Sequence, residues 1–357
     1  MVSLQQPLPE LQLPGLVDEQ DQETLVVPTT KSLRHTLGLA RNTMSQYYYR
    51  YLPPFPAIVG HRGALYAQLE NTRESFRQCA SWGCEAVELD VFVLQDGNVI
   101  VFHGGGTDEN PGDLTEYCLN QERVGILDLD YPTASKLQFN PNFAEFACCV
   151  DKITQGRIPL LSQVLEDLRG TRTRVKIELK HPGTVQPVLD VVEQAGMVHQ
   201  CSYSSFNHQL LQELRRLRPS KLDYPTGALF NHPVPDSYIE QALECGATEV
   251  HLRYDTCTLE RVQDIRWAGL RSMAWMRGPR GMAADIADRF WDVGNEDAAC
   301  YAALWETGVD EICINKPDVA IALRNSPAHN SRRPILEAAA EAAARNTTLG
   351  PAVTIAN

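Results

Sequence analysis

Through the middle of the chain, short apolar runs alternate with longer stretches in which apolar residues recur every three or four positions. The runs fall at 57–61 (AIVGH), 86–92 (AVELDVF), 98–103 (NVIVFH), 174–180 (RVKIELK), 199–204, 225–230, 248–252 (TEVHL), 270–276 (LRSMAWM) and 310–314 (DEICI). Their length and pattern predict strands. Helical patterning fills most of the gaps, at 72–82, 159–169, 184–195, 207–217, 236–244, 258–268 and 296–307. Strand and helix in regular alternation indicate a parallel sheet. Eight such units in about 270 residues suit a closed (β/α)₈ TIM barrel better than an open doubly wound sheet. No GxGxxG follows the first strand, which weakens a dinucleotide-binding reading. The LQDGN between 86–92 and 98–103 contains Asp-Gly, a strong hairpin signal. The second strand is therefore expected to fold back on itself and carry His103 over the top of the barrel.

Three parts follow from this pattern. Residues 1–55 are Pro- and Gln-rich, then polar, with Tyr47, Tyr48, Tyr49 and Tyr51 clustered. They are expected to form a partly flexible N-terminal extension with a short helix from Lys31 to Tyr49. Residues 56–325 form the barrel, interrupted by a small insertion at about 104–156. Residues 326–357 form a tail whose Ala-rich ILEAAAEAAAR favours helix by propensity.

Composition narrows the classes. The chain has 357 residues, 43% hydrophobic and 22% charged, the balance of a soluble globular protein. Lys and Arg number 32 against 45 Asp and Glu, a formal charge of −13. That excess argues against a nucleic-acid partner, which needs a basic surface. A small phosphate substrate is still accommodated, because a few local cations or one metal can reverse the field in a cleft. The ten cysteines form no CxxC pair, so a structural zinc site is not expected and the thiols read as reduced. The first residues lack the basic-then-apolar layout of a secretory signal, and no run of about 18 apolar residues could span a membrane. The cytoplasm is the expected compartment; nothing in the pattern sets an oligomeric state.

The charged residues inside the strands carry the chemistry. His61, Glu88, Asp90, Glu178, Lys180 and Trp275 all sit at or near strand ends, and in a TIM barrel those ends meet at the face where active sites are built. Alternation points Glu88 and Asp90 the same way, roughly 7 Å apart, and Glu178 and Lys180 share that relation. Converging carboxylates repel, and a hard divalent cation resolves the conflict: Mg²⁺ or Ca²⁺, or Mn²⁺, rather than zinc. Taken alone, the ExD is equally a pair of salt-bridge partners for Arg62 and Lys180. Thr72 and Asn71 read as caps of the first helix. Trp275 reads equally as core or as pocket wall, and His251 as a structural histidine.

Taken together, the segments GHRGALYAQLENTRESF (60–76), AVELDVFVLQDGNVIVFH (86–103), RIPLLSQVL (157–165), VKIELK (175–180), SSF (204–206), AWM (274–276) and GVDEICINKPD (308–318) resemble the glycerophosphodiester phosphodiesterase family, in the family's order. The resemblance implies a (β/α)₈ barrel, one divalent cation and hydrolysis of glycerophosphodiesters to glycerol 3-phosphate and an alcohol. It implies metal ligation by Glu88, Asp90 and Glu178, with Glu70 of the ENT motif in the same shell. It implies His61 and His103 as catalytic acid and base, and Arg62 and Lys180 beside the phosphate; Trp275 joins them as a candidate substrate-binding residue on its strand-end position. The nucleophile is either the substrate's own glycerol hydroxyl or water. Two positions depart from the family's pattern. Gly104 follows the second histidine where Asp is usual. Met276, Arg277 and Gly278 follow Trp275 where Asn is frequent, so Arg277 offers a cation to a charged head group. A phospholipase D-like or lysophospholipase D activity on lipid phosphodiesters is the alternative within enzymes, and a non-catalytic barrel the alternative outside them.

Overall fold

The structure, a computed structural model, describes residues 54–107, 110–115, 117–119, 125–143, 152–153, 156–277 and 296–326. The helices expected at 31–49 and in the Ala-rich tail lie outside the described residues.

Eight parallel strands close into a barrel. They are β1 (Ala57–Gly60), β2 (Ala86–Val93), β6 (Arg174–Leu179), β7 (Cys201–Ser205), β8 (Thr226–Phe230), β9 (Glu249–Arg253), β10 (Arg271–Trp275) and β11 (Glu311–Ile314). Closure comes from β1, which pairs with β11 on one side (Ala57 opposite Glu311) and with β2 on the other (Val59 opposite Ala86). As the Asp-Gly turn predicts, β2 continues into an antiparallel hairpin with β3 (Val99–Val101), Val91 facing Val101. A second hairpin, β4 (Gly105–Thr107) and β5 (Asn110–Asp113), was not predicted by the pattern.

Helices fill the gaps between strands: α1 (Arg73–Trp82), α2 (Tyr131–Ala134), α3 (Leu161–Leu168), α4 (Val185–Gln194), α5 (His208–Leu217), α6 (Tyr238–Glu244), α7 (Leu259–Trp267), α8 (Ala298–Glu306) and α9 (Pro317–Asn325). α9, which the pattern did not single out, starts at Pro317, where a fixed φ favours the first helical turn.

Strand alternation sorts the core into two zones. Outward residues such as Ile58, Val87, Leu89, Val91, Val175 and Ile177 pack with Phe76, Leu161 and Val164 of the surrounding helices. Inward residues are polar to an unusual degree for a barrel, where branched apolar side chains are the norm. Val59, Ala86, Met273 and Cys313 form a small apolar layer. Below it lie Glu249 and Glu311, the first residues of β9 and β11, met by Lys176 of β6; above it lie Glu88, Asp90 and Glu178, all three in the wall of the cavity at the mouth. A further hydrophobic cluster joins Leu69, Phe92 and Ile100 to Phe102, Tyr117, Ile126, Phe139 and Ile153, so the described part of 104–156 packs beside the hairpin.

Candidate active site

The cavity at the C-terminal ends of the strands has a volume of about 270 Å³. His61, Arg62, Glu88, Asp90, His103, Glu178, Lys180 and Trp275 all line it. Every strand-end residue singled out in the sequence therefore reaches one mouth. Glu70 does not line it.

The HRG segment is shaped by backbone. Arg62 has φ 53°, left-handed for a residue with a side chain, and Gly63 has φ 89°. A Cβ on Gly63 would lie 2.3 Å from Ser75 Oγ, so only glycine lets this turn pack on α1. A non-glycine residue in that region is strained and persists only where its surroundings over-determine it. Here the Arg62 amide donates to Glu88 Oε2 at 3.1 Å, and its Nη1 meets both oxygens of Glu70 at 3.0 Å. Glu70, expected in the metal shell, is thus engaged with Arg62. Asn71, expected to cap α1, instead donates from Nδ2 to Asp90 Oδ2 at 2.9 Å. Thr72 is the cap, accepting from the Ser75 amide. The ENT tripeptide therefore fixes one cation, one carboxylate and one helix start.

Glu88, Asp90 and Glu178 each present an oxygen within 4.8 Å of the others. Lys180 Nζ lies 2.8 Å from Glu178 and 3.2 Å from Asp90. Arg62 adds a second cation, its Nε 3.7 Å from Asp90, but it is shared with Glu70, so the three acids are not fully neutralised. Burial, then the neighbouring Asp90 and Glu178 charges, push Glu88 well above the ordinary carboxyl range. Burial raises Glu178 too. Asp90 shifts the other way: burial works against its charge, but the Lys180 and Arg62 cations and the Asn71 hydrogen bond hold it below the ordinary range. Among the described residues, Glu88 Oε1 is buried with no hydrogen-bond partner. A buried, unpartnered carboxylate oxygen beside two more carboxylates is the donor set of a hard cation, so these residues fit a divalent metal.

Each histidine is oriented through Nδ1. His61 Nδ1 is 2.7 Å from Asn315 Oδ1. The Asn315 amide group donates to the Arg277 carbonyl at 2.7 Å and to Glu296 Oε2 at 2.8 Å. Both are acceptors only, so the oxygen of Asn315 must face His61 and the histidine must donate from Nδ1. Glu296 is held in turn by Tyr301 Oη at 2.7 Å. His103 Nδ1 meets the Gly104 carbonyl at 2.6 Å and Tyr117 Oη at 3.3 Å. Nε2 of each ring is left without its proton. Burial, then the Arg62 charge, lowers His61 to about 3 and drives His103 well below its ordinary value, so both are neutral.

Asn315, Glu296 and Tyr117 escaped sequence reasoning. Asn315 lies inside the INKPD motif, but nothing local marks it as the partner of a residue 254 positions away. The departure at Gly104 has a steric cause: φ is 68°, and a Cβ there would lie 2.8 Å from Gly112 Cα in the second hairpin. The backbone carbonyl holds the imidazole instead of an aspartate.

The sequence matches the family profile described as "Glycerophosphoryl diester phosphodiesterase family" over residues 61–319, which holds every residue above. The chain belongs to this family. A glycerophosphodiester phosphodiesterase of Caldanaerobacter subterraneus is 25% identical over 61% of this chain and 84% of its own length. Human lysophospholipase D GDPD1 is 25% identical, the match covering 43% of this chain and 46% of that protein. Among solved structures, an Oleispira antarctica phosphodiesterase in complex with the product sn-glycerol-3-phosphate superposes with a TM-score of 0.58 at 20% identity, covering 78% of this chain and 99% of that one. This likeness carries the barrel fold. As a member of the phosphodiesterase family the chain is an enzyme, and no helix among the described residues is long and apolar enough to cross a membrane.

Proposed function

We propose that this enzyme hydrolyses glycerophosphodiesters to glycerol 3-phosphate and a free alcohol at the cavity described, using a divalent cation held by Glu88, Asp90 and Glu178. The buried, unpartnered oxygen of Glu88 within the three-carboxylate cluster carries the metal reading. The all-oxygen donor set favours Mg²⁺, Ca²⁺ or Mn²⁺. When bound, the cation supplies positive charge to the phosphoryl oxygens as charge develops on them.

The chain's own residues do the rest. Arg62, fixed by Glu70, and Lys180 receive the phosphodiester anion. Glu70 acts here by holding Arg62. His61 and His103, each donating from Nδ1, present Nε2 to the cavity as proton acceptors. One takes the proton of the attacking hydroxyl. The other supplies a proton to the departing alkoxide. That second histidine must first gain its proton; burial and then the Arg62 and Lys180 charges hold both rings neutral, and the entering anion favours protonation by offsetting those charges. Attack by water gives glycerol 3-phosphate directly; attack by the substrate's glycerol hydroxyl gives a cyclic phosphate that water then opens, and the same base can take the proton of each attacking hydroxyl. The compartment proposed for the enzyme is the cytoplasm, on the sequence pattern alone.

The test is release of sn-glycerol 3-phosphate from a panel of glycerophosphodiesters, with and without EDTA. Metal-dependent release supports the proposal, and no release from any diester contradicts it. The likeness to a lysophospholipase D favours a second reading, distinguished by faster turnover of lysophosphatidylcholine than of glycerophosphocholine.

A further inference from the structure

The cavity is chemically lopsided. Its acidic residues come from β2 and β6. The opposite wall, supplied by β7 to β10 and the residues just after them, contributes Phe206, Asn231, Arg253, Trp275 and Arg277 among others, and no acid among the described lining residues. If phosphate and metal occupy the first half, the second half meets the alcohol that leaves.

That wall is a set of hydrogen-bond donors. Arg253 is gripped by Asp255, with Nε 2.7 Å from one carboxylate oxygen and Nη2 against the other. Its direction is fixed and its charge is partly offset. Arg277 is held by its own backbone: its carbonyl accepts from Asn315. That bond ties the Arg277 backbone to the residue that orients His61. Trp275 Nε1 is buried and has no hydrogen-bond partner among the described residues.

The aromatic pair Phe206 and Trp275 invites the opposite reading, a box for a quaternary ammonium. Two observations decide against it. The rings meet edge to face at 5.5 Å and 84°, so at least one face is already covered by the other ring. Two guanidiniums share the wall, and like charge excludes a cationic group more strongly than one ring face attracts it.

We propose that this wall selects a leaving alcohol bearing a further anionic oxygen group, a carboxylate or a second phosphate, with Arg277 as the discriminating residue. The proposal rests on the glycerophosphodiesterase reading above. Arg277 suits it because a planar guanidinium matches carboxylate and phosphate oxygens in pairs.

Matched substrates isolate the effect. Glycerophosphoserine differs from glycerophosphoethanolamine by one carboxylate, and glycerophosphoinositol 4-phosphate from glycerophosphoinositol by one phosphate. In each pair the anionic member is expected to show a kcat/KM roughly 10- to 100-fold higher, the value of one charge-assisted hydrogen bond. In Arg277→Ala the ratio within each pair falls toward one, and in Arg277→Glu it inverts. Circular dichroism and cation binding of each variant show that the site still stands; if Arg277→Ala does not fold, the wild-type ratios alone decide. Ratios near one in the wild type, or ratios unchanged in a folded Arg277→Ala, overturn the proposal while leaving the diesterase reading intact. No hydrolysis of any of the four overturns the diesterase reading and this one with it.

Discussion

The barrel interior holds two buried charged layers, and they differ in how the charge is resolved. At the base, Lys176 Nζ sits 2.8 Å from Glu249 and 2.6 Å from Glu311. Arg174 and Arg271 reach Glu311 from the rim at 3.1 and 2.8 Å, and His251 meets Glu249 at 2.9 Å. At the mouth, Lys180 and Arg62 face Glu88, Asp90, Glu178 and Glu70. Burial is the leading influence on the carboxylates of both layers and raises their pKa in each. At the base the cations outweigh it and Glu249 and Glu311 end below the ordinary range. At the mouth Glu88 and Glu178 end above it. Asp90, against Lys180 and Arg62, ends below it, so the cations of the base serve both of its acids, while those of the mouth serve Asp90 and leave Glu88 and Glu178 short of positive charge. The base belongs to the fold. The mouth has room for a cation and a substrate.

Breaking the comparison at the mouth should cost chemistry and spare the fold. His61→Ala and His103→Ala are each expected to lower kcat about 10²–10⁴-fold, with thermal unfolding and cation affinity nearly unchanged. A p-nitrophenyl phosphodiester identifies the acid: its good leaving group needs little protonation, so the acid's variant is largely rescued on it and the base's is not. Equal losses for both variants on both substrates would point to histidines that only position the phosphate.

Breaking it at the base should do the reverse. Lys176→Met removes the buried cation between Glu249 and Glu311, leaving them to Arg174, Arg271 and His251, and is expected to remove about 3 kcal/mol of stability in denaturant unfolding. The residual folded enzyme should bind the cation normally. A loss of cation affinity without a loss of stability would merge the two layers into one.

A smaller effect belongs to Asn315→Leu, which removes the acceptor that sets the His61 tautomer. Its kcat is expected to fall roughly 10- to 100-fold with KM little changed. Added to His61→Ala it should cost almost nothing more.

The strands, helices and strand-end chemistry were legible because each rests on local pattern. The expected strand ranges differ from the observed ones by one or two residues at an end, because buried parallel strands read as continuous apolar runs. The carboxylates stood out as acids inside such runs. Three features were hidden. Lys176 sat in plain view within VKIELK, but its partners Glu249 and Glu311 lie 73 and 135 residues away, and no spacing rule links them. Asn71 looked like a helix cap, since Asn favours that place; its tertiary partner Asp90 claimed it instead. The motif marks Glu70 as an acid of the site, but its contact with Arg62 Nη1 is tertiary and no spacing shows it. In each case tertiary contact overrides what local chemistry prefers.

The charge deficit at the mouth also has a pH signature. A cation needs Glu88 as carboxylate, and Glu88 holds its proton above the ordinary range when metal-free. Cation affinity should therefore fall as pH drops through that raised pKa, by at most about tenfold per pH unit for one displaced proton, and level off above it. Calorimetry in two buffers of different ionisation enthalpy would show the released proton; an affinity flat with pH would mean that Glu88 is already ionised or is not a ligand.

The most direct test of the mouth as a cation site is calorimetric titration of the metal-free protein with Mg²⁺, Ca²⁺ and Mn²⁺, wild type against the double variant Glu88→Ala, Asp90→Ala. Binding by the wild type to at least one of the three, and none by a variant that keeps its fold, is the result expected. Equal affinity in the two proteins would place the cation elsewhere and leave the three carboxylates without the role given to them here.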